Sequence, residues 1–155
     1  MPSPGTLFDA VGGEPAVRAL TEALHARCLD DPVLNHPFSH PGQNPDHVAR
    51  LAAYLGEVLG GPARYSDECG DRSFMLDLHA HNGDVTELGA RFLACFVAAA
   101  DDAGLPEDRQ LRDALRTHMA GAVDEVVAVG DVNAVVAPGL AVPRWGWLPD
   151  SPSPG

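Results

Sequence analysis

The stretch Met75–Asp84, MLDLHAHNGD, places His79 and His81 one residue apart between an apolar run and an Asn-Gly turn signal. An imidazole held in such a place can ligate a metal, and the surrounding residues decide which metal. A zinc ion needs three or four His, Cys or carboxylate ligands, and this stretch offers at most two, with no C-x-x-C nearby. Nucleophilic Cys–His chemistry needs an activated thiol. Cys28 and Cys95 instead fall inside helical apolar patterns, where a buried free cysteine is the usual state, and three cysteines are an odd number for a disulfide framework. A haem asks less of a sequence: one axial imidazole, an apolar slot and control of the opposite face.

The other histidines sort by neighbourhood. His36 and His40 flank the breaker-rich loop SHPGQNP and read as solvated. His118 sits beside Met119 on the last helix, at a pocket or in solvent. His25 lies next to the core-type residues Leu24 and Cys28, at the edge of an apolar face. His47 leads a stripe through Leu51, Tyr54 and Val58, at helical spacing. From there it can overhang a hydrophobic cavity.

Helices must position these residues. Thr6 is a cap for a short turn through Leu7 and Phe8, and Pro15 stands near the start of a helix reaching about Leu29. Asn44 and Pro45 open a helix whose apolar face is Val48, Leu51, Leu55 and Val58, ended by Gly60-Gly61-Pro62. Residues 63–72 read as polar loop. Leu88, Phe92, Cys95, Phe96 and Ala99 mark one further helix, and Pro106 begins another with Leu111, Leu115, Met119, Ala122 and Val126 on its face. The expected fold class is all-α, with one domain over residues 1–130 and a Pro/Gly-rich tail over 131–155 that its tryptophans pack and whose end frays.

Bulk properties narrow the partners. The net charge is −12 and all ten basic residues are arginine, with no basic stripe for nucleic acid. No apolar run approaches the roughly 20 residues that cross a bilayer, so no membrane partner and a cytoplasmic location are expected.

Several segments then resemble the truncated haemoglobins, most closely their second group. They are LFDAVGG at 7–13, DDPVLNHPF at 30–38, LGGPARYS at 59–66, His79, and ARFLACF at 90–96, in the family's order across about residues 7–129. The resemblance implies a two-over-two helical globin around haem b. His79, thirteen residues before Phe92, takes the place of the iron-binding histidine, and His81 falls just past it. By the same resemblance Phe38 packs on the haem face, Leu51, Tyr54 and Leu55 form the distal wall, and Phe74, Met75 and Leu78 form the proximal wall, with Met119 also bordering the cofactor. His25 stands where the family usually has a distal tyrosine, Phe92 where the second and third groups usually have tryptophan, and His47 at a position often small and apolar. The segment GDRSFMLDL before the ligand is one residue longer than the family's arginine-bearing segment.

The implied function is reversible binding of O2, NO or CO at iron held by His79, with His25 and His47 replacing the usual distal donors. One variant has His47 or His25 as sixth iron ligand, which suits electron transfer. Another is NO dioxygenase or peroxidase-like turnover, with histidine as acid or base. The chain carries no flavin or nicotinamide motif, so turnover would draw on an external reductase. A haem-free helical interaction module, docking through Trp145 and Trp147, is the alternative from a different class. Either a monomer or a homodimer is compatible with the sequence.

Overall fold

The computed structural model describes residues 5–34, 47–73, 76, 83, 85–131 and 133–148. Regular structure among them is helical: α1 (Leu7–Val11), α2 (Glu14–Asp30), α3 (His47–Val58), α4 (Arg64–Glu68), α5 (Thr86–Asp102) and α6 (Arg109–Val129). Thr6 caps α1, its hydroxyl accepting the Asp9 amide at 3.1 Å. Two boundaries differ from the sequence reading. α6 starts at Arg109, not Pro106, because the Asp108 carboxylate accepts the Leu111 amide at 2.9 Å and so becomes the cap. The expected loop at 63–72 contains the turn α4, held by partners on the preceding helix α3. Tyr65 is buried edge-on against Tyr54, with ring centroids 5.0 Å apart. The buried Glu57 carboxylate accepts the Ser66 amide at 2.8 Å and also the Ser66 hydroxyl.

The helices form two layers, α2 with α3 and α5 with α6, joined where α2 crosses α5. α3 rests on α2 and α4 and makes no extended contact with α5 or α6. One side of α3 therefore has no extended helix partner among the described residues. At its C-terminal end α3 is pinned by α1 and by the tail. The last carbonyls of a helix lack intrahelical partners; here Leu59 C=O takes the Phe8 amide at 2.8 Å and Val58 C=O takes the Trp145 amide at 2.6 Å. Gly61 allows this approach, since a Cβ there would lie 2.5 Å from the Phe8 ring.

Burial is graded along the bundle. Leu55 and Val58 on α3, Phe96, Ala99 and Ala100 on α5, and Leu111, Ala114, Leu115 and Met119 on α6 are buried. At the other end, residues 47–54, 86–95 and 120–128 of the same helices include no fully buried residue. Their apolar side chains, among them Leu51, Leu88, Phe92 and Val123, are only half covered while packing against the core. α5 and α6 still touch closely there, because a Cβ at Gly89 would come within 2.7 Å of Val123.

Candidate functional site

The candidate site's polar groups come from α2 and α3. His25, near the end of α2, and His47, the first residue of α3, bring their ring centroids to 5.7 Å with the planes tilted by 51°. Both residues are half-buried, and His25 Nδ1 and His47 Nε2 are shut off from solvent. One helical turn beyond His25 lies Cys28, which meets Cys95, itself one turn beyond Phe92. The contacts Arg27–Asp102, Cys28–Cys95 and Asp31–Arg91 run in opposite directions along the two helices, so α2 and α5 cross antiparallel.

Ionic contacts fix the chain on both sides of the Cys28–Cys95 contact. Asp31 ends α2, and its carboxylate accepts the Val33 and Leu34 amides at 2.8 and 3.1 Å. Arg91 of α5 reaches Asp31 at 3.2 Å and Glu87 at 3.1 Å. Burial would raise the Asp31 carboxyl, but the two amides and Arg91 outweigh it and hold the group below its ordinary value. Arg27 pairs with Asp102 along the same α2–α5 seam. A surface groove there is lined by Ala23, Ala26, Arg27, Asp31, Cys95 and Asp102, and includes neither histidine.

The thiols at the seam are sequestered. Burial, with Cys95 beside it, pushes the Cys28 thiol up to about 12 from the ordinary 9.0, and burial also raises Cys95. Between those two values an unfolded chain releases the Cys28 proton while the folded chain retains it. Stability is then complete below the ordinary value of 9.0 and drains as pH climbs toward about 12. Urea midpoints measured across that interval should fall with pH, and the slope should flatten in Cys28→Ala; equal slopes would contradict the assignment.

Of the residues expected to border a cofactor, Leu51, Tyr54 and Phe92 are half-buried. Tyr54 also packs on Tyr65, and burial foremost, with Glu125 next, raises its hydroxyl above the ordinary 10.0. Leu55 and Met119, by contrast, are covered by protein within the core, at 1% and 5% exposure. Phe38, Phe74, Met75, Leu78, His79 and His81 lie outside the described residues, as do His36 and His40. His118 is half-buried: it stacks on Trp145 with ring centroids 5.4 Å apart, and its Nε2 donates to Gly146 C=O at 2.7 Å.

The sequence reading did not anticipate the pairing of Asp31 with Arg91. Nor did it anticipate Arg72, whose guanidinium pairs with Glu125 at 2.9 Å. Among the described residues no three His, Cys, Asp or Glu converge on a bare ion. Among the described residues, the site offers a pair of imidazoles, His25 and His47, on helices that also carry the half-covered apolar residues Leu51 (α3) and, across the bundle on α5, Phe92. Such a donor set matches a flat apolar ligand with a polar reactive centre, and haem has that form.

A family profile described as bacterial-like globin matches residues 6–126. Among curated proteins, a group 1 truncated hemoglobin of Nostoc sp. (strain MUN 8820) is 31% identical over 68 residues, which are 44% of this chain and 57% of that protein. The chain thus matches little more than half the length of that relative. Among solved structures, the group II truncated hemoglobin from Bacillus anthracis superposes with a TM-score of 0.70 at 24% identity, covering 81% of this chain and 93% of that one. A thermostable hemoglobin from Thermobifida fusca gives a TM-score of 0.67 at 29% identity, covering 82% and 100%. The two-over-two arrangement is common to these neighbours.

Proposed function

This chain belongs to the bacterial-like globin family, whose cofactor is haem b, and on that premise we propose that it reversibly binds a diatomic gas at haem iron held by His79. The observation that supports this reading is the pairing of the half-buried His25 and His47, 5.7 Å apart. When bound, haem supplies an iron at which O2, NO or CO can be taken up and released. The chain's residues do the rest. His79 supplies the proximal imidazole, and a hydrogen bond from its second ring nitrogen would set its orientation and basicity. Leu51 and Phe92 offer apolar surface that excludes water. Phe92 has no polar hydrogen to donate, so the ring N–H groups of His25 and His47 are left to contact a polarised ligand. An N–H held in place contributes about 0.5–3 kcal/mol, the upper range applying when charge develops on the acceptor.

Reconstitution with haem tests the reading. A Soret band and reversible shifts on adding CO to the reduced protein are expected, and a chain that takes up no haem would refute it.

The burial of His47 Nε2 favours a second reading, in which His47 itself coordinates iron. An external gas would then compete with an internal ligand, lowering its apparent affinity. Low-spin ferric and ferrous bands without added ligand, converted to high-spin in His47→Ala, are the signature of that state. High-spin bands in the wild type would dismiss it.

A further inference from the structure

The family match ends at residue 126, yet residues 133–148 are docked on the helices instead of trailing from them. Trp145 and Val142 are buried in the core cluster. Trp145 stacks on His118, and the Trp147 indole N–H donates to Gly5 C=O at 2.6 Å. These contacts fasten one part of the segment to α1, α3 and α6.

An earlier part of the segment grips a different place. The Arg72 amide donates to Leu140 C=O at 2.9 Å. The buried Ser73 hydroxyl donates to Ala137 C=O at 2.5 Å and accepts the Leu140 amide at 2.8 Å. Arg72 is held again through Glu125 of α6. Ten residues further along the chain, the Gly83 amide donates to Gly130 C=O at 2.8 Å. A Cβ at Gly130 would lie 2.3 Å from the Gly83 oxygen, so the backbones meet there with no room for a side chain. Both chain ends flanking residues 74–82, which include His79, are therefore anchored to the same continuous stretch, from the end of α6 through Leu140.

We propose that residues 133–148 form a strap that holds Arg72 and Ser73 in place, making Ser73 a positioning residue for His79. This rests on the reading of His79 as the iron ligand. Ser73 suits the task because one hydroxyl both donates and accepts, joining two points of the strap to the chain six residues before His79. Neither α5 nor α6 could do this alone. Among the described residues, the strap contributes the partners of the Ser73 hydroxyl, through Ala137 and Leu140.

The test uses the full chain, haem-free and haem-loaded, as wild type, Ser73→Ala and the nearly isosteric Ser73→Cys. Amide exchange of the peptide covering residues 74–82 should quicken roughly tenfold in Ser73→Ala. The change should appear without haem as well as with it, and Ser73→Cys should fall between. The iron–histidine stretching band of the reduced protein should shift or broaden in the same order. If Ser73→Ala fails to fold, the same two readings on Ser73→Cys decide the matter. Unchanged exchange and an unchanged band, with only a lower melting temperature, would overturn the strap's positioning role. Absence of haem from the wild type would instead refute the gas-binding reading, and the haem-free exchange data would then overturn or support the strap by themselves.

Discussion

Replacing His79 with alanine is expected to leave a folded chain that no longer retains haem under dilution, with its Soret band lost or moved to the position of loosely held haem. The expected size follows from what is removed. Loss of an outer partner to a metal ligand costs roughly 10–100-fold in affinity, and loss of the only proximal ligand should cost more. The fold should survive, because the closed end of the bundle, with Leu55, Phe96, Leu111 and Leu115, is covered by protein alone. Far-ultraviolet circular dichroism beside the visible spectrum separates the two effects. His81→Ala is the control, since two histidines one residue apart would otherwise confuse the assignment. Haem retention that survives His79→Ala and fails in His81→Ala would move the ligand to position 81.

The second large effect concerns release of the gas. His25→Ala and His47→Ala should each speed O2 dissociation by about tenfold, and up to ~100-fold where the hydrogen bond is charge-assisted. CO carries little charge when bound, so its dissociation should change far less. That contrast tells a lost hydrogen bond from a merely enlarged slot. The rings stand 5.7 Å apart, and residues in contact do not act independently. The double variant should therefore fall short of the product of the single effects. Equal acceleration for O2 and CO would point to steric opening instead, and equal rates throughout would remove both imidazoles from the ligand's surroundings.

Much of the fold was legible because it rests on local rules. Apolar spacing and capping residues located α2, α3 and α5 to within a few residues, and Thr6 acts as the cap its type suggested. The rest depends on contacts between separate elements of the chain. α4 forms because Tyr65 meets Tyr54 and Ser66 meets Glu57, which no window of residues around 63–72 reveals. The start of α6 was displaced by a simpler competition, in which a carboxylate at Asp108 outdoes Pro106 as a helix signal. In the tail, Pro and Gly content advertised looseness, while the hydrogen bonds of Ser73 and the stacking of His118 on Trp145 join residues far apart in sequence.

The site divides in the same way. Periodicity showed that Leu51, Leu55 and Met119 belong to apolar faces, but not how far along the bundle each lies. Leu55 and Met119 fall at the covered end, and Leu51 and Phe92 at the half-covered one. Residue type singled out His25 and His47, and the packing of α3 on α2 brings them together.

The graded burial has a consequence for how the chain melts. One end of the bundle is covered by protein alone; the half-covered end, if haem binds there, is a receptacle whose walls gain from being filled. A ligand at about a hundred times its dissociation constant adds about 2.7 kcal/mol to the state that binds it, and here that gain falls on the receptacle. Calorimetry of the empty chain should show a broad early transition before the main one, and loading should merge the two into a single sharper endotherm at higher temperature.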